Sequence, residues 1–349
     1  MQRPFESLAD LAACRTLLRG GSRTFFMASM LLPRAVRDPA SALYAFCRLA
    51  DDAIDVEARS DAVARLRERL ALAYAGRPRP IAADRALARV VAAHALPHAL
   101  PDAMLEGFAW DAAGRQYEDM PALTDYAVRV AGSVGAMMAV LMGAREPDQL
   151  ARACDLGVAM QMSNIARDVG EDARAGRLYL PLRWMREAGI DPAAWLQCPV
   201  FDAALASVVA RLLREAEALY ARAAPGVGRL PFACRPGIGA ARLLYAEIGR
   251  EVARRGFDSV SARAVVPRGR KLWLLARSVV AAASVHRSAT APPLAEARYL
   301  VDAVAGHPGP QPAPPRTIDG QIAWLYDLFA RLEREQAGRV IDGSIARAL

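Results

Sequence analysis

Two short acidic clusters in this sequence have the residue types and the spacing for metal and phosphate chemistry. Each contains a pair of aspartates four residues apart, which lie one turn apart on the same face of a helix. Like charges at that spacing repel, so we expect a cation to compensate them. The clusters are Asp51, Asp52 and Asp55 in YAFCRLADDAID, and Asp168, Glu171 and Asp172 in NIARDVGEDA.

Polar residues continue each cluster along its helix. Tyr44 and Arg48 precede the first cluster at helical spacing, and Gln161 and Asn164 precede the second. A polar stripe between apolar sides predicts a helix that faces an internal cavity rather than open water. The clusters are more than a hundred residues apart, which would be roughly thirty turns of one continuous helix, so they must lie on different helices. If those helices face each other, their carboxylate oxygens converge.

Carboxylates that converge without His or Cys suit a hard cation. Magnesium is usually held by one or two carboxylates together with substrate phosphates, and manganese accepts similar ligands. Arg48 and Arg167 lie beside the acids and would donate to phosphate oxygens. The combination predicts an apolar substrate with a diphosphate head. The alternative, a solvated helix face with aspartates spaced by chance, fits one such cluster better than two.

The composition predicts a helical protein. Of 349 residues, 54% are apolar and 23% are charged, as in ordinary globular domains. Apolar residues recur at helical spacing in most segments, which favours an all-α chain of roughly ten helices. The net charge of +8 is spread along the chain, without the basic run typical of nucleic-acid binding. It suits phosphorylated substrates or anionic lipid surfaces, although a bias toward Arg codons would produce it too.

The chain is predicted to contain one large domain over residues 1–304, a Pro-rich linker over 305–316 and an amphipathic C-terminal helix and tail over 317–349. Five cysteines without a Cys-x-x-Cys pair, and an N-terminus unlike a secretory signal, indicate a cytoplasmic protein. The apolar stretch 271–287 is predicted to be a core helix rather than a membrane anchor. Peripheral contact with the inner face of the membrane stays open as a hypothesis.

The quoted motifs resemble those of the squalene/phytoene synthase family. They are YAFCRLADDAID, YAVRVAGSVG and QMSNIARDVGEDARAGRLYLP, accompanied by GSRTFF and ARLLYAEIG. They occur in the family's order from about Gly21 to about Ala283. Within the family, the sequence most resembles bacterial phytoene synthases of carotenoid pathways. The resemblance implies a single all-α domain similar to class I isoprenoid synthases, a helical bundle around a central cavity.

The same resemblance implies a prenyl-transferring enzyme of isoprenoid and carotenoid biosynthesis. The expected reaction joins two geranylgeranyl diphosphates head to head, through a cyclopropyl diphosphate, to phytoene. It would depend on Mg²⁺ or Mn²⁺ and would not use NADPH. Implied partners are the prenyl diphosphates and, more remotely, downstream carotenoid enzymes and a membrane surface, but no nucleic acid.

The resemblance also implies roles for individual residues. Asp51, Asp55, Asp168 and Asp172 would hold metal ions, with Asp52 adding charge, and Tyr126 would lie near the rearranging cation. The small residues at 131–135 imply either close packing of a neighbouring helix or room for a prenyl chain. The segment 173–181 would leave its helix and form a lid. Positions expected to contact substrate are Ser22, Tyr44, Arg48, Gln161, Asn164, Arg167, Tyr179, Tyr245 and Arg263.

Other functions remain open at this point. A squalene or dehydrosqualene synthase would use farnesyl diphosphate, and the squalene enzyme would also need hydride from NADPH. A chain-elongating prenyltransferase fits the first acidic cluster but not the second. A non-catalytic helical assembly factor of the same family would be expected to have lost acids that this chain retains.

Overall fold

In the computed structural model, all regular secondary structure among the described residues is helical, without a strand. The structure describes residues 8–57, 60–282 and 291–310, and of residues 23, 51–57, 60 and 61 it describes the backbone alone. The α-helices are α1 (Leu8–Gly21), α2 (Arg23–Ser29), α3 (Arg34–Glu57), α4 (Ser60–Tyr74), α5 (Ala82–His94), α6 (Ala99–Ala112), α7 (Met120–Ala127), α8 (Ser133–Leu141), α9 (Pro147–Arg174), α10 (Leu182–Glu187), α11 (Pro192–Gln197), α12 (Ala203–Gly228), α13 (Arg235–Arg254), α14 (Arg268–Ala281) and α15 (Arg298–Ala305).

The prediction of an all-α fold is confirmed, but the predicted number of helices was too low. The described residues contain fifteen α-helices. Several of the extra ones, such as α10 and α11, have only six residues. They occupy segments between Gly and Pro breaks that are too short to show a helical periodicity. Their first turns are instead started by local features, such as the Asp191 carboxylate that accepts from two backbone amides of α11.

Helix α9 is the element around which the others pack. Its 28 residues begin with Pro147, whose fixed φ and missing N–H suit a first helical turn. Beyond its last residue, Arg174, Gly176 adopts a φ of +75°, the left-handed conformation that commonly ends a helix. Helices α8, α12 and α13 pack along it, and one side of α9 is apolar throughout, including Val158, Met162 and Ile165. Burial of this side holds the helix in the core.

Helices α8 and α9 approach each other backbone to backbone. A Cβ on Gly135 would overlap the carbonyl of Ala153, and a Cβ on Gly157 would overlap the carbonyl of Ala131. The turn before α8, Val128–Gly132, is a π-helix, a rare form that is frequent at functional sites. The small residues at 131–135 therefore serve close packing, and some of them also line the cavity described below.

Helix α14 differs from the predicted core helix. Only Leu274 and Ser278 are buried, while Leu272, Trp273 and Val280 are 62%, 49% and 77% exposed. The buried edge packs on Ala240, Ala241 and Leu244 of α13. An apolar composition shows that a helix could be buried but not on how many sides it has neighbours. No described helix has the length and apolar content needed to cross a membrane.

The predicted domain boundaries lie at the edge of what the structure describes. Residues up to Pro308 form one compact unit, and a second unit begins at Gly309. The predicted linker is described only as far as Pro310, and the predicted C-terminal helix lies outside the described residues. Both therefore stay predictions.

The α8–α9 contact predicts the effect of adding one methyl group. We expect Gly157→Ala to lower the free energy of unfolding by about 1–3 kcal/mol, because backbone atoms of α8 and its π-turn must move aside. Gly269→Ala in α14 is the control, since its Cβ would meet nothing within 4 Å. Urea unfolding followed by circular dichroism measures both. Equal stability of the two variants would contradict the close contact.

Candidate active site

A deep cavity of about 770 Å³ lies between the helices. Its walls are mostly apolar and come from α3, α6, α8, α9, α12 and α13. The apolar lining includes Leu43, Phe108, Val134, Met138, Met142, Leu156, Met160, Val227, Ile238 and Leu244. A cavity of this size and lining suits a large hydrocarbon group.

One face of α9 lines the cavity along most of its length. Lining residues recur every three or four positions from Gln149 to Arg167, as one side of a helix requires. The rise of a helix makes this face about 27 Å long. Leu156, Gly157 and Met160 form its apolar middle, and Gln161, Asn164 and Arg167 form its polar end. Gln161 and Asn164 of the predicted polar stripe therefore line the cavity, as predicted.

Ser22, Tyr44 and Arg48 line the cavity from the side of α2 and α3. Ser22 accepts from the amide of Phe25 at 3.2 Å and so caps the start of α2, while the rings of Phe25 and Tyr44 stack at 5.9 Å. The first acidic cluster follows on the last two turns of α3. The side chains of Asp51, Asp52 and Asp55 lie outside the described part of the structure, and their metal role stays a prediction.

The second acidic cluster is held by arginines that line the cavity. Asp168 Oδ1 accepts from Arg167 Nε at 2.7 Å and from Arg263 Nε at 2.8 Å. Burial alone would lower the pKa of Arg167, but the hydrogen bond and charge of Asp168 raise it. The Arg167 guanidinium therefore remains charged at the polar end of the cavity, where it could bind a diphosphate together with Arg263.

Arg263 reaches this end because the segment after α13 runs directly against α9. The amide of Gly170 donates to the carbonyl of Ser259 at 3.0 Å, and Arg174 donates to the carbonyl of Val260 at 2.6 Å. A Cβ on Gly170 would lie 2.6 Å from Val260 Cα. The glycine inside the acidic motif therefore has a packing reason, which the motif by itself does not reveal.

Two groups beside Asp168 are in an environment that a cation would improve. Burial, together with the negative charge of Asp168, raises the pKa of Asp172 to about 7. The buried Oδ1 of Asn164 finds no hydrogen-bond donor among the described residues. Since oxygen donors are the ligands that hard divalent cations prefer, these side chains fit such an ion.

The described side chains do not form a complete metal site by themselves. Among them, no three His, Cys, Asp or Glu residues cluster closely enough to hold a metal ion. Asp168 and Asp172 supply one side of the predicted site. The other predicted ligands belong to the first acidic cluster or to the substrate, as is common for magnesium.

Two tyrosines face the cavity beside the acids, with a third packed behind them. Tyr126 and Tyr179 line it, with ring centroids 5.3 Å apart, and Tyr117 packs 5.0 Å from Tyr126. Tyr179 lies on the segment that leaves α9 after Arg174, where the predicted lid begins. Both lining hydroxyls donate to Asp111 of α6, Tyr126 to Oδ2 at 2.9 Å and Tyr179 to Oδ1 at 2.8 Å.

The structure gathers the predicted substrate residues around one space. All nine, together with Tyr126, line the cavity. Asp168 and Asp172 do not line it, but Asp168 is bonded to Arg167 and Arg263, which do. The contact of these residues with substrate stays a prediction.

Sequence reasoning missed four charged residues of the lining: Asp111, Arg152, Arg177 and Lys271. Arg177 lies within the quoted second motif, five residues after Asp172, so the predicted lid segment was the available signal. Asp111, Arg152 and Lys271 are single charges in amphipathic segments, where nothing distinguishes them from surface residues.

The chain belongs to the squalene/phytoene synthase family, whose model matches residues 18–270. Members of this family generally use a divalent metal ion. The helical fold is likewise that of solved enzymes with this architecture. A dehydrosqualene synthase in complex with a ligand is 31% identical, with a TM-score of 0.74 over 79% of this chain and 98% of that one.

Relatives of known name cover nearly the whole chain. The phytoene synthase of Rhodobacter capsulatus is 55% identical over 306 residues, which is 85% of this chain and 90% of that protein. The phytoene synthase of Cereibacter sphaeroides is 49% identical over 346 residues, 95% of this chain and 97% of that protein. A squalene synthase from Alicyclobacillus acidocaldarius shares the fold at 24% identity, with a TM-score of 0.65 over 71% of this chain and 95% of that one.

The raised pKa of Asp172 predicts a stability cost that depends on pH. In the unfolded chain the pKa of this carboxyl has its ordinary value of 3.8, but in the folded protein it is about 7. Stability is therefore lost as the pH rises from 3.8 through 7, and Asp172→Asn removes that loss. We expect the variant to be at least about 1 kcal/mol more stable in EDTA at about pH 8, and to gain less at about pH 5.

Thermal unfolding at the two pH values measures this effect. Glu171→Gln is the control, because Glu171 is half-exposed and its 3.5 Å ion pair with Arg263 is of the exposed kind that contributes little to stability. If the Asp172→Asn variant is no more stable than the natural chain at either pH, the raised pKa assigned to Asp172 is contradicted.

Proposed function

We propose that this protein is a phytoene synthase that joins two molecules of geranylgeranyl diphosphate head to head. The observation that carries the proposal is a long apolar cavity with arginines and aspartates gathered at one end. That combination suits substrates with a diphosphate head and a long hydrocarbon chain. Relatives of the same name over 85–95% of the chain support the same reaction.

The polar end would bind the diphosphates. Arg167 and Arg263 are in place as donors, and Arg48, Arg177 and Lys271 add positive charge to the lining. Asp168 and Asp172, together with the first acidic cluster, would hold Mg²⁺ against the diphosphate oxygens. When bound, that ion supplies Lewis-acid stabilisation of the leaving group. The arginines stabilise the same departing charge through hydrogen bonds that strengthen as it develops.

The apolar walls would control what happens after the diphosphate leaves. The carbon–oxygen bond breaks with its electron pair on the diphosphate, and an allylic cation remains. Walls such as Leu156, Met160 and Leu244 exclude water that would capture it. The confined cation can then meet only the double bond of the second substrate, and loss of a proton closes the cyclopropyl diphosphate. A second ionisation, rearrangement and proton loss would give phytoene.

A dehydrosqualene or squalene synthase is the second candidate. It is favoured by one observation, the likeness to the dehydrosqualene synthase structure at 31% identity. Both candidates share the polar end and differ in the length of chain that the cavity admits. Phytoene synthase takes precedence because the phytoene synthases are more similar in sequence, at 49% and 55% identity.

The purified full chain tests the proposal directly. We expect phytoene from geranylgeranyl diphosphate with Mg²⁺ and without NADPH, identified by liquid chromatography and mass spectrometry. Asp168→Ala should lower the rate about 10²–10³-fold, because Arg167 and Arg263 lose the carboxylate that positions them. Asp148→Ala, on the same helix but bonded to Arg229, should keep the rate.

Two results would count against this assignment. Hydrocarbon made only from farnesyl diphosphate would favour the second candidate. An unchanged rate in Asp168→Ala would remove the second acidic cluster from the mechanism.

Peripheral membrane contact belongs to the same proposal. Exposed Leu272, Trp273 and Val280 on α14 lie among basic residues, and Trp273 packs against the guanidiniums of Arg270 and Arg277 at 4.4 and 5.4 Å. Lys271 and the preceding residues 264–266 line the cavity, so this face adjoins the cavity opening. Exposed apolar and basic side chains together suit an anionic lipid surface, into which an uncharged hydrocarbon could pass.

Vesicle flotation tests this contact. With vesicles containing anionic phosphatidylglycerol at low salt, we expect the protein to float, and Trp273→Ser to reduce the floated fraction several-fold. Val200→Ser is the control, because Val200 is also exposed, at 53%, but is distant in sequence from α14. Equal flotation of the two variants, or none by the natural chain, would contradict a role for α14.

A further inference from the structure

Asp111 occupies a position in the cavity wall that no sequence motif indicated. It is the penultimate residue of α6, it is half-buried, and it lines the cavity. Its two carboxylate oxygens each accept a hydroxyl from a different tyrosine, and those tyrosines come from α7 and from the segment after α9. One carboxylate thus joins three parts of the chain at the surface that substrate would touch.

The two hydrogen bonds determine where each tyrosine hydroxyl directs its proton. A hydroxyl that donates its single proton to Asp111 keeps its oxygen lone pairs for other neighbours. Burial, together with the negative charge of Asp111, raises the pKa of both Tyr126 and Tyr179, so both hydroxyls stay protonated. Both tyrosines therefore keep electron-rich oxygen lone pairs at the cavity wall.

An electron-rich wall has a specific use in the proposed reaction. The reaction passes through carbocations, and ring faces and oxygen dipoles stabilise a cation most where water is excluded. Fixed dipoles need no reorganisation when the charge forms. Tyr117 packs behind this wall at 5.0 Å from Tyr126 and 6.3 Å from Tyr179, which limits movement of both rings.

We propose that Asp111 is the positioning residue of the carbocation site, holding the hydroxyls of Tyr126 and Tyr179 as donors so that both tyrosines face the cation with negative charge density. The inference rests on the proposed function. It assigns the two tyrosines to contact with the reacting carbons, and Asp111 to a role exerted through them.

The matched pair of variants is Asp111→Asn and Asp102→Asn. Both lie on α6, but Asp102 is 44% exposed and pairs with Arg67 at 3.3 Å. An asparagine at 111 can accept from one hydroxyl only, and its amide donates toward the other. We expect Asp111→Asn to lower kcat for phytoene about 10²-fold with KM for geranylgeranyl diphosphate within about 3-fold of the natural value. Asp102→Asn should match the natural chain.

A double-mutant cycle separates this role from a structural one. In a chain that carries Tyr126→Phe and Tyr179→Phe, the hydroxyls are gone, so Asp111→Asn should lower kcat by less than about 3-fold further. Asp111→Glu, which keeps the carboxylate, should recover part of the activity. Thermal unfolding of every variant confirms that the folded protein is being assayed.

The outcomes distinguish this inference from the function on which it rests. If the natural chain forms no hydrocarbon, the proposed function fails. If the natural chain is active, three results would overturn the role of Asp111 alone: a natural kcat in Asp111→Asn, full additivity in the cycle, or a changed Mg²⁺ concentration for half-maximal rate, which would make Asp111 a metal ligand instead.

Discussion

The site depends on a charge cluster held at one end of an apolar space. Asp168 lies between Arg167 and Arg263, one from its own helix and one from a segment that α9 anchors through Gly170. Paired in this way, the charges can be partly buried without leaving an isolated ion. Asp168 thereby holds both arginines in position to donate hydrogen bonds to a diphosphate group.

The surrounding fold serves to keep this cluster beside a long hydrocarbon space. The close contact of α8 and α9 fixes the part of the cavity wall that these two helices form. It requires glycine at 135 and 157, because the backbones touch there. The cost of the site is visible in Asp172, whose pKa is raised by burial and by its neighbour Asp168. Such local instability at a functional site is common, because the residues are arranged for a ligand rather than for the free protein.

The wall formed by Tyr126 and Tyr179 meets a different requirement of the proposed reaction. Arginines and acids suit the departing diphosphate, but the hydrocarbon that stays behind becomes positively charged. Tyr126 and Tyr179, fixed by Asp111, place electron density where that charge would form. A single cavity can therefore stabilise opposite charges at two positions, provided that water does not enter and screen them.

The sequence alone determined the helical class, the two acidic clusters and the face of α9 that carries Gln161, Asn164 and Asp168. These follow from periodicity and from residue type, because residues three or four apart on a helix share a face whatever the rest of the chain does. The family resemblance added Ser22, Tyr126 and Tyr245, which spacing could not have identified.

Only the tertiary structure decided which lone residues joined them. Asp111 is far in sequence from Tyr179 and Arg263 is far from Asp168, and no local pattern records contacts between distant segments. The exposure of α14 was likewise undetermined, because an apolar helix is buried only where a neighbour covers it. Local helix geometry depends on a few consecutive residues. The burial of a side chain, its ion pairs and the shape of a cavity depend instead on how all the helices pack together.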